Sequence, residues 1–174
     1  AQTAVSRYPL VTREAICEQA RAAAAAGARN FAIVTSGRGP SDKTVAAVAA
    51  AVGAIKAQWP LHVCASLGLL APAQAQRLAA AGLDRYHHNL NTSERFHAQI
   101  CTTHTYADRV QTVRAVQAAG LSSCAGVIAG MGETDEDLVD MALTLRALDV
   151  DSIPVNFLIP VAGTPLAGRQ ERPG

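Results

Sequence analysis

Two hydrophobic periods alternate along the chain. Stretches with apolar residues at helical spacing are separated by short, continuously apolar runs bounded by glycine, proline or polar turns. REAICEQARAAAAA, from Arg13, reads as a helix capped by Thr12 and stopped at Gly27, and NFAIVT after it reads as a buried strand. SGRGPS is a turn. Ser41 or Asp42 can cap a second helix through AVAAAVGAIKAQ, and LHVCAS follows as the second strand. A third helix is expected from Pro72, a favoured first-turn residue, to Gly82, before RYHHNL, a strand with an unusually polar end. TSERFHAQICTTHT reads as irregular. TYADRVQTVRAVQAAG forms the fourth helix, ended by Gly120, and SCAGVIAG the fourth strand. Thr134 and Asp137 have the spacing of a capping box for a fifth helix through DLVDMALTLRALD, and SIPVNFLI is the fifth strand.

Five apolar strands separated by helices, recurring about every 30 residues, describe right-handed βα units on a parallel sheet, hence the α/β class. Periodicity does not separate a doubly wound sheet from part of a (β/α) barrel. Both architectures bind ligands at the C-terminal strand ends, where SGRGPS, LGLL, HHNLNTS, AGMGET and NFLIP all fall. No linker or low-complexity tract interrupts residues 1–174, so a single domain is expected. A complete barrel takes about 250 residues, so five strands would leave it open.

Composition narrows the function. Fifteen Lys and Arg against 14 Asp and Glu leave a net charge of +1, too little basic excess to favour a nucleic-acid or anionic-membrane partner. No apolar run is long enough to span a bilayer, and the first residues lack the pattern of a secretory signal, so the cytoplasm is the expected compartment. Cys17, Cys64, Cys101 and Cys124 are too dispersed for a disulfide scaffold.

Several residues carry candidate chemistry. Cys64 and Cys124 lie inside strands, where cysteine commonly packs as a small hydrophobe; thiolates on parallel strands can also be gathered by the fold around an iron–sulfur cluster. Cys17 should pack in its helix, and Cys101 lies in a polar loop. Asn89 and Asn91 sit at a polar strand end, able to fix a hydroxylated ligand. His87 and His88 should point to opposite faces, which disfavours a two-histidine metal site. Gly126, Ile128, Gly130 and Glu133 form G-x-I-x-G-x-x-E across a strand and its turn, and Arg109, in a helix's first turn, can fork onto a carboxylate. SGRGP has neither the P-loop ending nor the dinucleotide-fold glycine spacing.

Taken together, SGRGP, LGLL, QAQRL, the block DRYHHNLNTS, TTHTYADRV, CAGVIAGMGET and DSIPVNFL followed by GTPL resemble the biotin synthases, a family of radical S-adenosylmethionine enzymes. The likeness runs from about Tyr8 to Leu166 and implies a partial (β/α) barrel of the radical S-adenosylmethionine type. It also implies insertion of sulfur into dethiobiotin by 5′-deoxyadenosyl radical chemistry, with S-adenosylmethionine, a [4Fe–4S] cluster and a sulfur-supplying [2Fe–2S] cluster as cofactors. An electron donor such as flavodoxin or ferredoxin is implied, and a homodimer is compatible with it.

By this resemblance Cys64 and Cys124 match two ligands of the [2Fe–2S] cluster. Asn89 matches a residue bridging the adenosine ribose and dethiobiotin, Asn91 a ribose contact, Arg109 a contact to the methionyl carboxylate, and Asn156 a contact to the dethiobiotin ring. The chain departs from the family in two respects. It has no C-x-x-x-C-x-x-C motif, which is expected upstream of Ala1, and Ala32 stands where the family has a third cysteine ligand. A fourth ligand, an arginine, is expected beyond Gly174. The expectation is therefore a central portion of a larger enzyme, inactive alone. A degenerate, non-catalytic relative and a related radical enzyme with another substrate are the alternatives.

Overall fold

The computed structural model describes residues 9–168. In chain order these form α1 (Arg13–Ala25), β1 (Asn30–Val34), α2 (Asp42–Gln58), β2 (His62–Ser66), α3 (Pro72–Ala80) and β3 (Arg85–His87). There follow α4 (Glu94–Ile100), α5 (Tyr106–Ala118), β4 (Ser122–Cys124), β5 (Val127–Ala129), α6 (Asp135–Ala147) and β6 (Val155–Phe157). The helix starts follow their caps. The Thr12, Ser41 and Thr134 hydroxyls each accept an N–H of the first turn, and Thr134 and Asp137 close the capping box.

All ladders are parallel, in the order β1-β2-β3-β4 and β5-β6. Isolated bridges from Asn91 to Val127 and from Cys124 to Ser152 join the two sheets into one arc, an open part of a (β/α) barrel. The expected fourth strand is broken into β4 and β5 at Ala125 and Gly126. Gly126 faces Pro154, whose ring and carbonyl occupy the space a side chain would need. Its N–H turns instead to the side-chain oxygen of Asn89, at 3.0 Å. The expected fifth strand contracts to three residues, and TSERFHAQICTTHT is not wholly irregular, because Ser93 caps α4 by accepting the Phe96 N–H.

The sheet separates two environments. On its outer face Ile33, Val63, Ala65 and Tyr86 pack with the helix residues Val45, Val48, Val52 and Ile55, spaced along one stripe of α2. These four are fully buried, each contributing about 1.5–3 kcal/mol of transfer free energy. A second cluster joins Leu90, Val113, Val127, Met141 and Leu145. The concave face is polar, since alternation sends Ala32, Cys64, Arg85, His87 and Cys124 to that side: Ala32 pairs with Cys64, Cys64 with Arg85, and His87 with Cys124. β1 and β6 are the two edges of the arc, with Val34, Val155 and Phe157 largely open. Among the described residues no helix is long and apolar enough to cross a membrane.

Candidate functional site

A cavity of about 340 Å³ opens at the C-terminal ends of β1, β2 and β3. Thr35, Ser66, His88, Asn89, Asn91 and Arg109 border it, so three of the sequence-derived candidates, Asn89, Asn91 and Arg109, come together there. Asn89 holds a junction of the fold: its side-chain oxygen accepts the Gly126 N–H, while its backbone carbonyl accepts from Arg109 Nη1 at 2.6 Å. Its side-chain amide N–H groups thus remain for a ligand. Asn91 has φ 72°, a left-handed conformation that asparagine tolerates, and exchanges backbone bonds with Gly126 and Ile128.

Arg109 is half-buried, and its Nε has no hydrogen-bond partner. Burial lowers the guanidinium's pKa, partly offset by the neighbouring Cys101 sulfur. His88 is buried, and loss of solvation, reinforced by Arg109 and His104, pushes its imidazole down to about 3, so it is neutral at physiological pH. Both His87 and His88 border the cavity. The two imidazoles keep different neighbours, His87 near Arg85 and His62, His88 near Arg109 and His104.

Cys64 lies two residues before Ser66 on β2, hence about 6.6 Å deeper than the cavity rim along the strand. Cys124 is level with His87 on β4. Both thiols are free and buried on the concave face, with β3 between them. That intervening strand sets their backbones at least two ladder spacings apart, about 9.6 Å, beyond disulfide reach. Burial raises the Cys64 thiol, and His62 Nδ1 lies 3.6 Å from its sulfur. Ala32, the register partner of Cys64, offers only a methyl group. Asn156 is on β6, away from the cavity rim, with its amide 3.4 Å from the Val127 carbonyl.

The G-x-I-x-G-x-x-E stretch is a turn staple: Glu133 Oε1 accepts the Gly130 N–H at 2.6 Å. Two features are not legible in the sequence pattern, and both involve residues of the stretch TSERFHAQICTTHT. Buried Asp137 accepts from Ser93 Oγ at 2.5 Å, Arg95 Nε at 2.7 Å and Thr134 N at 2.9 Å, which holds its carboxyl well below the usual range and ties α4 to α6. His97, Cys101 and His104 cluster beside the cavity. The sequence signals were Ser93 ahead of Glu94 as a helix start, and the spacing H-x-x-x-C-x-x-H.

An α/β arc with its polar residues at the strand ends defines a class, and comparison with known proteins agrees. The chain belongs to the radical SAM superfamily, whose family model matches residues 2–145. Among curated proteins it is 55% identical over 167 residues to the biotin synthase of Geobacillus kaustophilus, covering 96% of this chain and 50% of that one. It is 60% identical over 155 residues to the biotin synthase of Streptomyces coelicolor, covering 86% and 38%. The chain therefore spans about half or less of the length of these relatives. In fold it is similar to the crystal structure of methylornithine synthase, with a TM-score of 0.85 at 21% identity over 96% of this chain and 50% of that one.

Proposed function

We propose that this chain is the ligand-binding portion of a biotin synthase, a radical sulfurtransferase acting on dethiobiotin. The observation that carries the reading is the convergence of Asn89, Asn91 and Arg109 on one cavity at the strand ends, in a chain 53–60% identical to biotin synthases.

In this reading Arg109 pairs with the methionyl carboxylate of S-adenosylmethionine through the part of its guanidinium not engaged with Asn89. Asn91 takes a ribose hydroxyl. Asn89, anchored through its side-chain oxygen, offers its amide N–H groups between ribose and dethiobiotin, and Asn156 meets the dethiobiotin ring from β6. Amides suit this work, because they bind hydroxyl and ureido groups without placing a charge beside a reacting carbon. Neutral His88 adds none either. Bound S-adenosylmethionine, with a reduced [4Fe–4S] cluster, supplies the hydrogen-abstracting radical. The four cysteines of this chain are too widely spaced to form C-x-x-x-C-x-x-C, so none of them is assigned to that cluster.

Cys64 and Cys124 are assigned to a [2Fe–2S] centre. Two buried thiols on one concave face, with β3 between them, suit a group holding more than one iron better than a single ion. An electron donor of the flavodoxin or ferredoxin type, a cytoplasmic location and a homodimer accompany the assignment. Ala32 favours a second reading, in which the auxiliary centre is lost and the protein either binds without turnover or runs radical chemistry on another substrate.

Anaerobic incubation of the full-length gene product with dethiobiotin, S-adenosylmethionine and a reductant, followed by mass spectrometry, separates these readings. Biotin is the expected product. Formation of 5′-deoxyadenosine without biotin would point to another substrate, and formation of neither to a non-catalytic relative.

A further inference from the structure

Beside the cavity, outside every role assigned above, three soft or borderline ligands come together. His97 lies on α4, Cys101 caps the C-terminus of that helix, and His104 stands just before Thr105, the N-cap of α5. One ligand atom from each lies within 4.8 Å of the other two, and among the described residues no other group of three His, Cys, Asp or Glu side chains meets that condition. We propose that His97, Cys101 and His104 form a zinc site at the rim of the cavity.

The local structure explains why they meet. The Cys101 N–H donates to the His97 carbonyl at 2.9 Å, closing a helical turn, so residues 97 and 101 lie on one helix face. The chain then reverses through Thr102 and Thr103 and brings His104 back to the sulfur. His104 Nδ1 lies 2.9 Å from Thr103 Oγ1, a hydrogen bond that leaves Nε2 as the free ring nitrogen; Cys101 Sγ lies 3.5 Å from Nδ1 and 3.6 Å from Nε2, facing the ring between them, so the imidazole has to turn for its Nε2 lone pair and the sulfur to share an ion. Tetrahedral zinc with a Zn–S bond of about 2.3 Å and a Zn–N bond of about 2.0–2.1 Å sets its S···N edge at about 3.6 Å.

An independent observation comes from His97. It is only 3% exposed, and its Nε2 has no hydrogen-bond partner, an arrangement that buried polar groups almost always avoid. The neighbouring rings do not relieve it: His104 and Tyr106 both meet His97 edge-on, with ring centroids 5.7 and 5.8 Å away. A metal ion bound through Nε2 would satisfy this nitrogen. Two imidazoles and one thiolate favour zinc over magnesium or calcium, which take oxygen ligands. Three protein ligands leave a fourth position for water or a small ligand. Because His104 borders the cavity and Arg109 lies beside Cys101, the ion would pin the segment between α4 and α5 and hold this rim in place.

The test is zinc stoichiometry and zinc-edge X-ray absorption on the full-length protein, purified with zinc and washed with a chelator. Element-specific detection keeps the result independent of iron content and turnover, so it succeeds or fails separately from the proposed sulfur insertion. The expected result is one retained zinc per chain with one sulfur and two imidazole neighbours. It should be lost in Cys101→Ser and His104→Gln and kept in Cys64→Ser, with circular dichroism reporting whether each variant is folded. Zinc removed by the wash, a shell with two or more sulfurs, or unchanged retention in folded Cys101→Ser would each overturn the site.

Discussion

Arg109 Nη1 donates to the backbone carbonyl of Asn89 at 2.6 Å, across 20 residues of chain, so the first turn of α5 is tied to the polar end of β3. The guanidinium thereby both supports the strand end and faces the cavity. Replacing it by alanine in the full-length protein should weaken S-adenosylmethionine binding about 10- to 100-fold, the range for a lost hydrogen bond to a charged group. Dethiobiotin binding should fall less. Calorimetric titration of both ligands checks this, and equal losses would remove Arg109 from carboxylate recognition and leave it a structural strut.

Ala32 and Cys64 are direct partners in the β1–β2 ladder, so a thiol at position 32 would stand on the concave face next to Cys64. Ala32→Cys should raise the iron and acid-labile sulfide retained per full-length chain and strengthen [2Fe–2S] absorbance after reconstitution. Unchanged iron and sulfide would argue that Cys64 and Cys124 are not cluster ligands.

Two glycines give opposite expectations from the same substitution. A methyl at Gly126 would collide with the Pro154 carbonyl and ring, so Gly126→Ala should destabilise by about 1–3 kcal/mol and loosen β6. Gly53, within α2, has its nearest obstacle at 3.9 Å, and Gly53→Ala should stabilise by about 1 kcal/mol. Urea denaturation of both variants reads the sign directly.

Acid should destabilise the fold partly through His88. The unfolded chain protonates it near 6.5, while burial holds the native imidazole neutral down to about 3. The unfolded state therefore binds the extra proton, and stability drops as pH falls through this window, with up to about a tenfold rise in the unfolding constant per pH unit from this group. Burial lowers His87, His97 and His104 as well, adding to the slope. Denaturation midpoints at pH 7 and pH 5, compared with those of a His88→Asn variant, isolate the His88 share; an unchanged slope would rule it out.

The alternation of helical and strand periods, the caps at Thr12, Ser41 and Thr134, and the polar strand ends are local properties, each decided within a few residues by backbone donors, side-chain oxygens and burial. The sequence by itself therefore determined the βα order, the α/β class and the strand ends where ligands bind, and its motif blocks carried the resemblance to a family. Only the tertiary structure decided which residues meet. Gly126 packing on Pro154 splits one expected strand in two, because the obstruction comes from residues far along the chain. Cys64 and Cys124 share a concave face through ladder register, and Asn89 finds Arg109 because α5 folds back over β3. His97, Cys101 and His104 converge because a capped helix ends in a tight reversal, a geometry that a polar, aperiodic stretch does not reveal until the chain around it has packed.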